Sequence, residues 1–224
     1  MDSGTTLDLM NRYATYTALF FLNINVLLCS INRRKLNPSL LRWLYFLLWT
    51  LIIEILAFIF MHKGYNNLPL LHIYTLGEFI LISYFYKSLI HKPSLFQKVF
   101  WHFTLIFSVL IILNSIFFQS IFTFNTFAKT FVQLLVIGYA VLYFYNLIEN
   151  QLFPEIISKS LRLVNSAIII YYSGSLFIFM FNQIYIDRTD IYTLFWVFNS
   201  TIYLVFQLLI LVALWKVFYK KKVL

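Results

Sequence analysis

Residues 40–61 read LLRWLYFLLWTLIIEILAFIFM, twenty-two positions carrying two charges, Arg42 near the start and Glu54 past the middle. Apolar residues continue around every face of a helix drawn through this run, and it does not alternate apolar with polar as a barrel strand must. A helix needs about 20 mostly apolar residues to cross the hydrocarbon core of a bilayer. It also satisfies its own backbone hydrogen bonds there, which an open strand cannot do. The run therefore predicts a transmembrane helix.

Runs of this character lie at 13–31, 40–61, 69–90, 99–122, 127–147, 162–184 and 191–215. The connections are too short to fold by themselves; the longest, 148–161, predicts one interfacial turn of helix after Pro154. The expectation is a single all-α domain over residues 1–224, a polytopic integral membrane protein built as a seven-transmembrane-helix bundle. Composition points the same way. The chain is 62% hydrophobic and 11% charged with a mean hydropathy of +0.82, against roughly 25% charged residues in a domain whose surface faces water. An aromatic share of 21% excludes a disordered chain. Pro38, Pro69, Pro93 and Pro154 stand between the runs or at their starts and punctuate helix ends. Cys29, the only cysteine, has no internal disulfide partner. Asp2 and Asp8 occupy the region where a secretory signal carries positive charge, so no cleavable signal is expected.

The basic residues of short connections set the expected orientation. Assigned to alternate sides, thirteen fall on one: Arg33, Arg34, Lys35 and Arg42; Lys87, Lys92 and Lys98; Lys159 and Arg162; Lys216, Lys220, Lys221 and Lys222. Four fall on the other, namely Arg12, Lys63, Lys129 and Arg188. The basic side is expected in the cytoplasm, with the N-terminus outside and the C-terminus inside, in a bacterial inner membrane. The net charge of +9 then reports topology. A nucleic-acid partner would need a basic polar face or motif, and the sequence has none. The expected partners are the lipid bilayer, anionic lipid at the basic cytoplasmic loops, and an unidentified protein.

Ionisable groups deep in a membrane are costly, which makes each a candidate for function. Glu54 lies in the outer half of the second run and Glu78 near the midplane of the third. His72 stands six residues before Glu78, about 240° around a helix, so the two do not share a face, whereas Thr75 and Glu78 do. Glu54, His72, Thr75 and Glu78, with the amides Asn114, Gln119, Gln133 and Asn199, are the candidate ligand-binding residues, and they predict an outward-facing polar pocket. The plain structural alternative is that such amides hydrogen-bond between helices as packing contacts, with a buried Glu held neutral beside one of them. Gly77, Gly138 and Gly174 lie near the middles of their runs and predict a close crossing of the third, fifth and sixth helices.

Reaction motifs are sparse. His62, His72, His91 and His102 lack the His-x-x-x-His spacing that places two metal ligands on one helix face. The chain has no serine-nucleophile motif, phosphate-cradling glycine loop or cysteine pair, and no cofactor is expected. A retinal Schiff base needs a lysine within the last run, which has none before Lys216. A sugar-carrier type of transporter matches the helix number, but not the helix prolines or internal repeat that such carriers use.

Residues 72–86, HIYTLGEFILISYFY, contain Tyr74-x-x-x-Glu78-Phe79. In this segment the chain resembles small uncharacterised bacterial seven-helix membrane proteins, and it is similar to the membrane sensor modules of some histidine kinases. The resemblance implies a non-enzymatic sensor or accessory module. With nine residues after Trp215, no output domain is expected, so the output would pass to a partner protein. A small secondary transporter, proton-coupled through Glu78, and an intramembrane enzyme acting on a lipid are the alternatives.

Overall fold

A computed structural model of the chain describes residues 3–90, 94–149, 156–185 and 189–219. Among these residues are seven α-helices: α1 (Ser3–Ile31), α2 (Pro38–His62), α3 (Leu68–Lys87), α4 (Ser94–Leu113), α5 (Thr126–Glu149), α6 (Ile156–Tyr185) and α7 (Thr189–Tyr219). A five-residue π-helical segment, Asn114–Phe118, continues α4, and no strand occurs among the described residues. All seven helices are long and apolar enough to cross a membrane.

Local chemistry explains the helix ends. Asn37 caps α2, its Oδ1 accepting from the Leu40 amide at 2.8 Å, and Pro38 follows where a missing N–H costs nothing. Beyond His62 the chain turns at Gly64, whose φ of 71° would strain any residue with a Cβ. Asn66 Oδ1 then accepts from the Leu68 amide at 2.8 Å and opens α3. Helices α1 and α6 begin before the expected spans, because hydropathy marks what lipid requires while hydrogen bonding lets polar turns continue a helix. The interfacial turn expected after Pro154 is, from Ile156 on, the start of α6 itself; Pro154 and Glu155 lie outside the described residues, as do Lys92, Arg188 and the Lys220–Lys222 run. The fourth helix, expected to reach 122, leaves helical geometry at Gln119.

The chain divides into two compact units, one formed by Met1–Lys35 with Asn150–Leu224 and the other by Leu36–Glu149. In the first, three-helix unit, α7 packs against both α1 and α6. Asn25 Nδ2 on α1 donates to the Gln207 carbonyl and to Gln207 Oε1 on α7, both at 3.0 Å. In the second, four-helix unit, α3 is the hub and packs against α2, α4 and α5. The three glycines do not mark one crossing. A Cβ at Gly77 would overlap the Trp49 indole of α2, one at Gly174 would sit 2.8 Å from Ile202 Cδ1 of α7, and one at Gly138 would meet nothing within 4 Å. Glycine is required for close approach between α2 and α3 and between α6 and α7, and Gly138 of the fifth helix serves no such approach.

Burial runs opposite to that of a protein in water. Leu105, Phe117 and Phe118 are 66%, 72% and 78% exposed, while Asn25, Glu78, Lys129, Gln133 and Gln207 are buried. Water would penalise both halves of this arrangement; hydrocarbon around the helices favours both.

Candidate functional site

The site is organised on α3, at the centre of the four-helix unit. Glu78 Oε2 lies 2.5 Å from Lys129 Nζ of α5, and both side chains are shielded, at 0% and 2% exposure. Lys129 stands in the first turn of its helix, where the backbone dipole already presents positive charge. The Glu78 carboxylate therefore compensates the ammonium and the helix end together. The Tyr74 ring, one turn before Glu78, lies 4.6 Å from Lys129 Nζ and adds a cation–π contact.

This pair corrects the sequence assignment of Lys129 as a loop charge on the outer side. The signal is present in the sequence: Asn125, Lys129 and Gln133 recur every four residues and so line one helix face. All three are buried. Thr75 is buried on the Glu78 face of α3, with its hydroxyl donating to the Leu71 carbonyl of its own helix at 2.7 Å.

A second cluster forms where α4 widens. In the π segment the Gln119 amide donates to the Asn114 carbonyl at 2.8 Å, five residues back; single π turns of this kind recur at functional sites. His72 of α3 meets this segment through Nδ1, 2.8 Å from Ser115 Oγ, and meets the following loop through Nε2, 3.1 Å from the Thr123 carbonyl. A carbonyl only accepts, so Nε2 carries a hydrogen, and in the neutral ring Nδ1 accepts from the Ser115 hydroxyl. That hydroxyl has a second acceptor, the Ile111 carbonyl at 3.3 Å. Protonation of Nδ1 would reverse its bond to Ser115 and send the hydroxyl hydrogen to Ile111.

Asn114 and Gln119 close the connection to α5. Asn114 Nδ2 donates to Gln119 Oε1 and to Asn125 Oδ1, each at 3.3 Å. Gln119 Oε1 also accepts from the Phe127 amide at 3.0 Å, and Gln119 Nε2 donates to the Phe124 carbonyl at 3.3 Å. Asn125 in turn stands one helical turn before Lys129, whose amide donates to the Asn125 carbonyl at 3.2 Å. The ion pair and the π segment are thus joined through α5.

Seven of the eight sequence candidates belong to the four-helix unit, and six of them sit on α3, on α5 or at the end of α4. His72 and Glu78 face different neighbours, as their spacing around the helix requires: the π segment for His72, α5 for Glu78. Glu54 is the seventh, half-buried on α2 and without a hydrogen bond or ion pair among the described residues. Asn199 lies on α7 in the three-helix unit, half-buried, with no partner for its Oδ1 among the described residues. No group of three or more His, Cys, Asp or Glu side chains gathers among the described residues. What the arrangement offers chemically is a shielded pair of opposite charges and a hydroxyl–imidazole contact that has two hydrogen-bonding states. The chain matches no family model, no curated protein and no solved structure.

Proposed function

We propose that this is a multi-pass protein of the bacterial inner membrane, N-terminus outside and C-terminus cytoplasmic, acting as a non-enzymatic sensor or accessory module whose output passes to a partner protein. The exposed apolar helix faces support the membrane setting. The Lys/Arg asymmetry supports the orientation, and it sharpens to thirteen against three once Lys129 is counted as interior.

The buried Glu78–Lys129 pair carries the sensing role. Each charge costs several kcal/mol to take out of water, and the attraction repays this only while the two remain together. A proton or a ligand that separates them would loosen α5 from α3, and the link from Lys129 through Asn125 to Asn114 would pass the change to the π segment. A sensor needs such an element with two arrangements, biased by what it detects.

The test is amide hydrogen exchange on the full chain in lipid nanodiscs. Glu78→Gln is expected to speed exchange over residues 111–130 and to leave α1, α6 and α7 unchanged. Equal exchange in both proteins would remove the ion pair as the sensing element. Proton-coupled transport through Glu78 is the second reading, favoured by the placement of a carboxylate opposite a titratable amine. Proton flux in proteoliposomes under a pH gradient, lost in Glu78→Gln, would replace the sensor with the transporter.

A further inference from the structure

We propose that the groove at the basic end of the four-helix unit is a binding site for the phosphate of an anionic phospholipid. The proposal rests on the membrane setting above but not on the sensing role.

A cavity of about 640 Å³ opens between the start of α2, the end of α3 and the start of α4. These are the ends of three candidate spans, Pro38–His62, Leu68–Lys87 and Leu95–Phe118, which is the depth of lipid headgroups. Two cations line it, one at each end of a stacked pair of rings. The Arg42 guanidinium lies 4.3 Å from the Tyr84 ring centre, Tyr84 stacks on Trp101 at 6.4 Å and 30°, and Lys87 Nζ lies 3.9 Å from the Trp101 ring. Tyrosine and tryptophan are the residues that settle at a membrane interface.

The rings position both cations while using few of their hydrogens. Arg42 Nη1 makes one long contact to the Tyr84 carbonyl at 3.4 Å, which leaves most of its five N–H donors for a ligand. The Lys87 ammonium keeps all three. Neither has an ion-pair partner among the described residues. The sequence of the four-helix unit, Leu36–Glu149, contains three carboxylates, Glu54, Glu78 and Glu149, and Glu78 is committed to Lys129. The first turn of α2 carries no acidic residue to offset its dipole, and Arg42 follows it at the fifth position of the helix. The Ser88 hydroxyl donates to the Phe85 carbonyl at 2.6 Å and stands 3.0 Å from the Ser39 hydroxyl, whose own hydrogen completes the wall. Gln97 fixes that wall by donating to the Lys87 carbonyl at 3.0 Å and to the Ile90 carbonyl.

Positive charge, surplus donors and interfacial depth together define a phosphate site. A phosphatidylcholine headgroup would add its own cation to two uncompensated ones, so an anionic lipid such as phosphatidylglycerol is the better occupant.

Native mass spectrometry of the full chain, released from mixed phosphatidylcholine and phosphatidylglycerol bilayers, tests this. The expected preference for retained phosphatidylglycerol is about tenfold or more, from two charges near the surface. Arg42→Gln with Lys87→Gln should lose most of it, while Lys220→Gln, Lys221→Gln and Lys222→Gln together should not. Should the double variant fail to fold, Lys87→Met keeps the stem against Trp101, removes the charge and reads the same loss. An unchanged preference in these groove variants, or an equal loss in the tail variant, would overturn the site. Displacement of the lipid by inorganic phosphate at matched concentration would overturn a lipid in favour of a free phosphate ligand.

Discussion

Each unit places polar groups inside apolar helices, but the two do so with different chemistry. The three-helix unit joins α1 to α7 through neutral amides, Asn25 to Gln207. The four-helix unit joins α3 to α5 through opposite charges, Glu78 to Lys129. A neutral amide contact between membrane helices contributes roughly 0.6 kcal/mol and loses little when broken. A buried ion pair is nearly balanced while intact and expensive when one partner is removed, because a bare charge then stays inside. The first contact fixes how two helices fit. The second makes their association depend on charge state, which is why the functional site is assigned to the four-helix unit.

The largest expected effect breaks that contrast directly. Lys129→Ala, which strands the carboxylate, should destabilise the four-helix unit by about 3–5 kcal/mol, whereas Glu78→Leu with Lys129→Met should be neutral or stabilising. Unfolding in mixed micelles reads both. If the single variant costs no more than an amide deletion, the pair is not electrostatically exposed to loss and the contrast fails.

Glycines provide the next measure. Gly77→Ala pushes a methyl into the Trp49 indole, a rigid ring backed by its own bond to the Tyr74 carbonyl, and should cost about 1–3 kcal/mol. Gly174→Ala meets only the tip of Ile202, which can turn away, and the helix gains up to about 1 kcal/mol from alanine. Its melting point should therefore barely move. Similar losses at the two glycines would show that the α2–α3 contact is no tighter than the α6–α7 one.

The smallest effect belongs to the amide contact. Asn25→Leu should cost about 0.6 kcal/mol and leave hydrogen exchange in the four-helix unit unchanged. A cost near that of Lys129→Ala would erase the distinction between neutral and charged contacts.

Much of the site is legible in the sequence. Glu78 stands out because a carboxylate in a long apolar run has few harmless explanations, and the expected angle between His72 and Glu78 matches the different neighbours they meet. Lys129 reads as a loop charge because a lysine near a helix start is also what a membrane-flanking loop contains. Charge counting alone weighs both cases equally, and the four-residue recurrence with Asn125 and Gln133 is the distinguishing mark. Gly138 misleads for a similar reason: a glycine permits close approach but does not require a neighbour to use it. The π segment has no sequence signal in Asn114–Phe118; its side-chain partners His72, Gln119 and Asn125 all lie outside it.

Seven apolar helices and their caps follow from the sequence alone. Both are local properties: a run of about 20 apolar residues is set by hydrocarbon thickness, and a cap by the few residues beside it. Which polar groups meet is settled by tertiary packing. Glu78 and Lys129 are 51 residues apart in sequence, and Asn25 and Gln207 are 182 apart. Such partners depend on how each helix is rotated and on which helix stands beside it, and helices apolar on every face leave both choices to packing.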